Sequence, residues 1–267
     1  KSKYEYIEEG LKELVKVIQE YNIISIAIPP LGCGNGGLNW ETVKQLMEKY
    51  LFNIKDIDII VYEPNENVKE ILKAQNSTKD IKLTPARAML LYAMFYYESL
   101  GENSSLFVAN KLAYFLQRLG EKSFKKLNFE QSYYGPYSVQ VQHMLHQLNG
   151  KYLKGLEQMN VKPFEPLELQ YSEAKNVSRF VKSKLSFEQN TTLKNLVKLI
   201  DGFQSAYALE LLATTDYIRK NEPTANNDEV IKSLQLWSSR KQELFEEKYI
   251  HIALNHLDEY KQTLNFS

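Results

Sequence analysis

The chain has one cysteine among its 267 residues, so it cannot form an internal disulfide. Stable disulfides are typical of secreted and periplasmic proteins, whereas a chain without them suits a reducing compartment. The hydrophobic fraction of 43% and the charged fraction of 25% are ordinary for a globular protein. These counts predict a folded cytoplasmic protein.

Long apolar runs and an excess of one charge are also missing. The longest apolar stretch, near Ala88 to Tyr97, has the length of a core helix rather than of a membrane span. Lysine plus arginine and aspartate plus glutamate each number 33, so the net charge is zero. No overall field therefore attracts the chain to nucleic acid or to lipid, and we expect no membrane partner.

The first part of the chain has the pattern of an α/β protein. Residues 4–20 place apolar side chains three and four residues apart, which predicts an amphipathic helix. β-Branched runs at 23–28 and 58–62 predict two buried parallel strands. A glycine-rich loop at 31–39 and a helical pattern at 40–51 lie between them. This order is half of a doubly wound α/β fold.

The pattern changes after the second predicted strand. Residues 66–83 are polar, which is typical of a linker, and a helical pattern follows with Thr84 as its N-cap and Pro85 in the first turn. Further helices are predicted at 106–119, 137–150, 172–184, 190–200, 206–220, 227–236 and 237–260. We therefore predict an α/β half-domain with two strands at 1–65, a linker, and a mainly α-helical domain at 84–267, with a winged-helix-like arrangement as an open alternative.

Four glycines, Gly32, Gly34, Gly36 and Gly37, lie between the first strand and the helix whose predicted N-cap is Asn39. Glycine permits positive φ and lets backbone amides approach a ligand closely. Successive amides beside a helix N-terminus form an anion-binding nest, so this loop predicts a phosphate or diphosphate site. A structural turn explains the same glycines equally well when the residues alone are considered.

The segments SIAIPPLGCGNGGLNW and DIIVYEP resemble the C-terminal half of a macrodomain, most closely that of DarG-type antitoxins. The resemblance implies that the loop holds the diphosphate of ADP-ribose. It further implies a family that removes ADP-ribose attached to thymidine in DNA by a DarT-type toxin. The implied partners are that toxin and ADP-ribose or ADP-ribosylated single-stranded DNA. The candidate ligand contacts are Gly32, Cys33, Gly34, Asn35, Gly36, Gly37, Leu38 and Tyr62.

Three of these ligand candidates have a second interpretation. Cys33 has no histidine within the motif to activate it, which favours a small buried spacer over a nucleophile. Asn35 either reaches a ribose hydroxyl or supports the turn. Tyr62 either stacks on ribose or adenine or packs in the core.

The family pattern is not matched in full. The asparagine-containing loop and the catalytic lysine of the family precede the glycine loop, and neither has a counterpart here. Lys1 and Lys3 stand close to that place, but we interpret both as solvated lysines at a helix start. We interpret the chain as a fragment, assign no catalytic residue and no cofactor, leave its status as an enzyme open, and expect no release of ADP-ribose by this chain alone.

In the helical part, KLAYFLQRLGE and FEQSYYGPYS resemble the C-terminal domain of the same antitoxins, and more loosely SocA-like antitoxin domains. Those domains bind toxins, so the resemblance implies a toxin-binding domain. Its candidate toxin contacts are Tyr133, Tyr134 and Tyr137, because interface energy concentrates in a few Tyr, Trp and Arg residues. Core packing is the better interpretation of Tyr114 and Phe115.

Two histidine pairs raise the question of a metal site. The pairs are His143 with His146, and His251 with His256. Neither pair has a third ligand at a convincing spacing, so we expect no metal site.

The expected function is that of an antitoxin. Its helical domain would neutralise a DarT-type DNA ADP-ribosyltransferase by direct binding, and its macrodomain, in the intact protein, would remove ADP-ribose from thymidine in DNA. The alternative is a DNA-binding or DNA-mimicking interaction module without enzymatic activity. The zero net charge argues against DNA affinity that depends on phosphate contacts.

Overall fold

The amphipathic pattern near the start of the chain forms helix α1 (Tyr4–Glu20) in the computed structural model, which describes residues 2–33, 36–64, 81–157 and 161–261. The chain divides into two compact units. One contains the described residues up to position 64, and the other contains those from position 81 onward.

Two parallel strands form the sheet of the first unit. β1 (Ser25–Ile28) pairs with β2 (Asp58–Val61), and α2 (Trp40–Leu51) connects them. Asn39 caps α2 as predicted, because its side chain accepts a hydrogen bond from the amide of Thr42. The order of elements is that of the predicted α/β half-domain.

The core of the first unit lies on one face of this sheet, where α1 and α2 pack. The fully buried members of this core are Leu11, Ile28, Val43, Met47 and Leu51. The strands were expected to be buried on both faces, but Ile60 points to the other face and is 53% exposed. Among the described residues, only one face of the two strands is covered.

A polar contact also joins α1 to α2. Glu8 on α1 accepts hydrogen bonds from the Tyr50 hydroxyl and from the Lys49 ammonium, the latter at 2.9 Å. These donors stabilise the carboxylate and lower the pKa of Glu8 to about 2. The two helices are thereby connected at the surface as well as through their apolar faces.

The second unit is mainly helical, as predicted. Its helices are α3 (Pro85–Ser99), α4 (Leu106–Arg118), α5 (Val139–Leu148), α6 (Ala174–Lys184), α7 (Phe187–Ile200), α8 (Ala206–Asn221), α9 (Asn227–Leu236), α10 (Ser239–Leu244) and α11 (Glu247–Glu259), with 3₁₀ turns at Lys122–Phe124 and Tyr171–Glu173. Its strands form two antiparallel pairs, β3 (Glu130–Ser132) with β4 (Gly135–Tyr137) and β5 (Leu153–Lys154) with β6 (Glu168–Leu169). Within the described ranges, no helix is long and apolar enough to cross a membrane.

Helix α4 is apolar on nearly every face and is therefore buried along most of its length. Tyr114 and Phe115 are fully buried, which confirms their interpretation as core residues. Asp216 on α8 accepts hydrogen bonds from the Tyr114 hydroxyl (2.7 Å) and from two guanidinium nitrogens of Arg118 (2.7 and 3.1 Å). The centre of this unit thus contains a charged pair surrounded by apolar side chains.

The structure differs from the predicted elements in the last helix and at the β3–β4 hairpin, among other places. The single helix predicted at 237–260 is divided into α10 and α11, because Phe245 is buried and has an extended backbone (φ −102°, ψ 92°). The β3–β4 hairpin falls where no strand was predicted. Both departures depend on packing against the rest of the unit and not on local sequence preference.

Candidate functional site

The glycine loop leads from the carboxyl end of β1 to the N-terminus of α2. Two backbone hydrogen bonds close it: the amide of Cys33 donates to the carbonyl of Pro30 (3.2 Å), and the amide of Leu38 donates to the carbonyl of Gly32 (3.0 Å). Leu38 therefore uses its amide to hold the loop shape in this conformation. The amides of Gly36 and Gly37 lie ahead of α2, where the helix dipole favours an anion.

Gly32 and Gly36 have no room for a side chain, because other atoms approach them closely. Gly32 has φ +68°, and a Cβ on it would lie 2.8 Å from Cδ1 of Leu38. A Cβ on Gly36 would lie 2.5 Å from the carbonyl oxygen of Gly32 and would collide with the Ser2 side chain. These two residues close the loop against the start of α1, so a side chain at either would change the loop geometry.

Gly37 has a different environment. Its φ of +70° lies in the left-handed region that favours glycine, yet an added Cβ would meet no atom within 4 Å. The backbone at Gly37 therefore borders open space, as close approach by a phosphate group requires. Gly34 and Asn35, the other predicted contacts in this part of the loop, lie outside the described residues.

Cys33 is partly buried within the loop. Its thiol donates a hydrogen bond to the carbonyl of Leu31 at 3.3 Å. Burial raises the pKa of the Cys33 thiol, so the neutral form dominates near neutral pH. A neutral, hydrogen-bonded thiol supports the spacer interpretation over that of a nucleophile.

Tyr62 lies at the same edge of the sheet as the beginning of the loop. It follows β2 directly, and its amide donates to the carbonyl of Ile28, the last residue of β1, at 2.9 Å. Its side chain is 60% exposed, which argues against core packing in the described part of this unit. In parallel sheets, ligands bind beyond the carboxyl ends of the strands, where the structure places both the loop and Tyr62.

Of the two lysines near the start of α1, Lys3 lies within the described residues. Lys3 is exposed, and its ammonium lies 5.6 Å from the centre of the Tyr6 ring. Lys1 lies outside the described residues. In the described ranges, no three histidine, cysteine, aspartate or glutamate side chains are placed to hold a metal ion.

The three candidate toxin-contact tyrosines lie together at the β3–β4 hairpin of the second unit. Tyr133 is 55% exposed, and its ring meets that of Tyr134 edge-on at 4.8 Å. Tyr137 is half-buried, and its hydroxyl donates to the side chain of Gln142 at 2.7 Å. Tyr133 is therefore the most available of the three for contact with another molecule.

Two cations beside these tyrosines were missed at the sequence level. Arg240 lies 5.0 Å from the ring centre of Tyr134 and 5.6 Å from that of Tyr133, and it binds Glu210 through two hydrogen bonds. Lys111 lies behind the hairpin and is 1% exposed. The sequence does indicate that Lys111 is unusual. A lysine within the apolar run of α4 must be buried, and a buried charge needs a polar or charged partner.

The comparisons with known proteins agree with this arrangement. The Macro domain family model matches residues 1–47. A DNA ADP-ribosyl glycohydrolase of Thermus aquaticus is 38% identical over 262 residues, which cover 96% of this chain and 69% of that protein. A protein of the same name from Mycobacterium bovis is 29% identical over 269 residues, covering 96% of this chain and 74% of that protein.

A further relative is similar only in part. A DNA ADP-ribosyl transferase-DNA ADP-ribosyl glycohydrolase fusion protein of Thermosipho africanus is 42% identical over 73 residues. This match covers 27% of the chain and 18% of the fusion protein.

Proposed function

The chain belongs to the DNA ADP-ribosyl glycohydrolase family, and from that premise we propose that its first unit binds the ADP-ribose of ADP-ribosylated DNA at the glycine loop. The observation that carries this proposal is the loop itself, which lies between a parallel strand and a helix N-terminus with open space at Gly37. In the intact protein, removal of ADP-ribose from thymidine in single-stranded DNA takes place at this site.

Each part of the site has a distinct task in this proposal. The loop amides and the N-terminus of α2 bind the diphosphate, because both present positive charge without a side chain. Gly32 and Gly36 hold the loop in shape through their close contacts. Tyr62, exposed at the same sheet edge, stacks against ribose or adenine.

Substitution of Gly37 by valine tests the diphosphate site. A β-branched residue is strained at φ +70° and places methyl groups where the ligand approaches, so we expect ADP-ribose affinity in the intact protein to fall by about tenfold or more. Isothermal titration calorimetry with ADP-ribose measures this change.

The matched control is Gly10→Ala. Gly10 lies within α1, and an added Cβ there meets no atom within 4 Å. We expect this variant to bind ADP-ribose as the unsubstituted protein does. Unchanged affinity in a folded Gly37→Val variant would show that the loop does not hold the diphosphate.

We further propose that the second unit neutralises a DarT-type toxin by direct binding through the β3–β4 hairpin. Two observations support this. One relative joins a DNA ADP-ribosyl transferase and a DNA ADP-ribosyl glycohydrolase in a single chain, which associates the two activities physically. The hairpin also presents an exposed tyrosine beside an arginine, the residue types in which interface energy concentrates.

Tyr133→Ala tests this interface. Because Tyr133 is exposed, we expect its removal to weaken toxin binding by about 2 kcal/mol or more while thermal stability stays nearly unchanged. Surface plasmon resonance against the cognate toxin measures the affinity. Tyr171→Ala is the control, since Tyr171 is 62% exposed in another part of the unit. If the two substitutions change toxin affinity equally, the hairpin is not part of the interface.

A further inference from the structure

A pocket of about 340 Å³ opens in the second unit behind the candidate toxin-contact tyrosines. Its walls come from the first half of α4, from the β3–β4 hairpin, from the start of α5 and from the segment near Pro163. The volume is at the lower end of the range for small-molecule sites. We call it the Lys111 pocket, because Lys111 is the charged residue among those that line it.

The ammonium of Lys111 is buried and only partly satisfied. Its Nζ donates to the carbonyl of Pro136 at 2.7 Å and lies 5.0 Å from the ring centre of Phe107. An ammonium has three donors, and no carboxylate of the described residues lies within ion-pair distance of this one. A buried cation without a counter-ion is costly, so an anion in the pocket would be stabilised.

The acid whose charge acts on Lys111 already pairs with other cations. Glu210 on α8 pairs with Arg240 at 2.7 Å and also with Lys241, both from α10. Burial lowers the pKa of Lys111 to about 7; Glu210 opposes this shift, and Lys241 adds to it. The lysine therefore gains and loses its proton near neutrality.

Apart from Lys111, the residues that line the pocket include no aspartate, glutamate, lysine, arginine or histidine. The hairpin presents Tyr134 and Tyr137, and burial raises the pKa of Tyr137 further. Gln142 of α5 and Pro163 are uncharged. The lining residues thus include one cation and no carboxylate, which suits an anion of a single charge.

The walls of the pocket are pre-positioned. The Tyr134 ring meets the rings of Phe107 and Phe164 edge-on or nearly so, at 6.4 and 4.7 Å. Thr214 has a buried hydroxyl with no hydrogen-bond partner among the described residues. A Cβ on Gly135 would lie 2.6 Å from that hydroxyl and 3.5 Å from Nζ of Lys111. Only glycine leaves this polar corner unobstructed.

We propose that the Lys111 pocket binds a carboxylate on an aromatic or aliphatic body, with the Lys111 ammonium as its counter-ion. The aromatic walls contact the apolar body, and the buried ammonium pairs with the carboxylate. A phosphate dianion would require a second cation, which the lining residues do not provide. The carboxylate comes either from a free small acid or from an acidic side chain of the toxin, and only the latter source rests on the proposed function.

Benzoate is the probe, titrated calorimetrically into the full chain at about pH 6 and about pH 8.5. Benzoate stays ionised at both values, so the protonated fraction of Lys111 controls binding. For a pKa of about 7, affinity should fall roughly thirtyfold between the two conditions. Equal affinity at both pH values, or no binding at either, overturns the proposal.

Lys111→Met provides an independent arm. Methionine keeps a similar length but has no charge, so the folded variant should bind benzoate about tenfold more weakly or worse and should lose the pH dependence. Lys182→Met on α6, an exposed position, should bind as the unsubstituted chain does. Unchanged benzoate affinity in folded Lys111→Met contradicts the proposal, and the pH comparison decides the matter if that variant does not fold.

Competition between benzoate and the toxin identifies the source of the carboxylate. If benzoate displaces the toxin at pH 6, an acidic toxin side chain occupies the pocket, and if the two bind together, a free acid is the ligand. Failure of the toxin to bind the unsubstituted chain refutes the proposal that the second unit neutralises the toxin. In that case the benzoate titrations still test the Lys111 pocket, because they do not involve the toxin.

Discussion

Asp216 lies fully buried on α8, where its charge is balanced by groups of α4. Arg118 binds it through two hydrogen bonds, and the Tyr114 hydroxyl adds a third. A buried ion pair of this kind is not a large net source of stability, because both charges lose their hydration. Removing one partner is costly, however, since the other charge then remains buried without compensation.

Arg118→Met should therefore destabilise the second unit by about 3–5 kcal/mol. Arg219→Met is the matched control: its ion pair with Asp258 has one half-exposed partner, so we expect a loss of about 1 kcal/mol or less. Urea unfolding of the full chain, followed by helical circular dichroism, measures both changes. If the two variants lose similar amounts of unfolding free energy, burial of the Arg118–Asp216 pair does not make the loss of one partner more costly.

Sequence reasoning at the residue scale succeeded where a side chain has one dominant preference. Tyr114 and Phe115 were expected in the core and are fully buried. Lys111 and Arg240 were missed as neighbours of the hairpin tyrosines. Their positions depend on contacts between residues far apart in the chain, such as Arg240 with Glu210, which no local pattern encodes.

At the scale of elements, local capping signals predicted helix boundaries well. Asn39 and Thr84 accept hydrogen bonds from backbone amides at the starts of α2 and α3. Gly101 has φ +91° just after the end of α3, in the left-handed region that favours glycine. The break at Phe245 was missed, because burial of one aromatic side chain outweighs the helical pattern around it.

The start of α7 gives a direct test of capping. Ser186 and Gln189 form a capping box, which moves the start of the helix to Phe187, ahead of the predicted 190. Ser186→Ala should cost about 1 kcal/mol of unfolding free energy. Thr191→Ala, at an exposed position inside the same helix, should change it by only a few tenths of a kcal/mol. Equal effects in chemical denaturation would contradict the capping role.

At the scale of the whole molecule, each unit has a core of its own. The core of the first unit involves α1, α2 and both strands, whereas that of the second begins at Ile81 and includes residues up to Leu257. Ile81 is buried, and its carbonyl accepts a hydrogen bond from the Tyr152 hydroxyl at 3.3 Å. The second unit therefore includes residues just ahead of the predicted boundary at position 84.

We accordingly predict that residues 81–267, expressed alone, fold cooperatively and bind the toxin. A separate hydrophobic core is the physical reason, since it allows folding without the first unit. Calorimetric unfolding should show one transition, close in temperature to one seen in the full chain. A piece that begins at 84 should be less stable, because it lacks Ile81. Absence of cooperative unfolding in 81–267 would show that the units depend on each other.

The sequence by itself determined the classes of the two parts, the strand–loop–helix order around the glycines and the main helix starts. These features follow from hydrophobic period, glycine and capping residues, which act over a few neighbouring positions. Only the tertiary structure decided that Gly32 and Gly36 are closely packed while Gly37 faces open space. It also decided that Lys111 lies in a pocket beside Tyr134. Such arrangements depend on packing between distant segments, and many sequences with the same local pattern would pack differently.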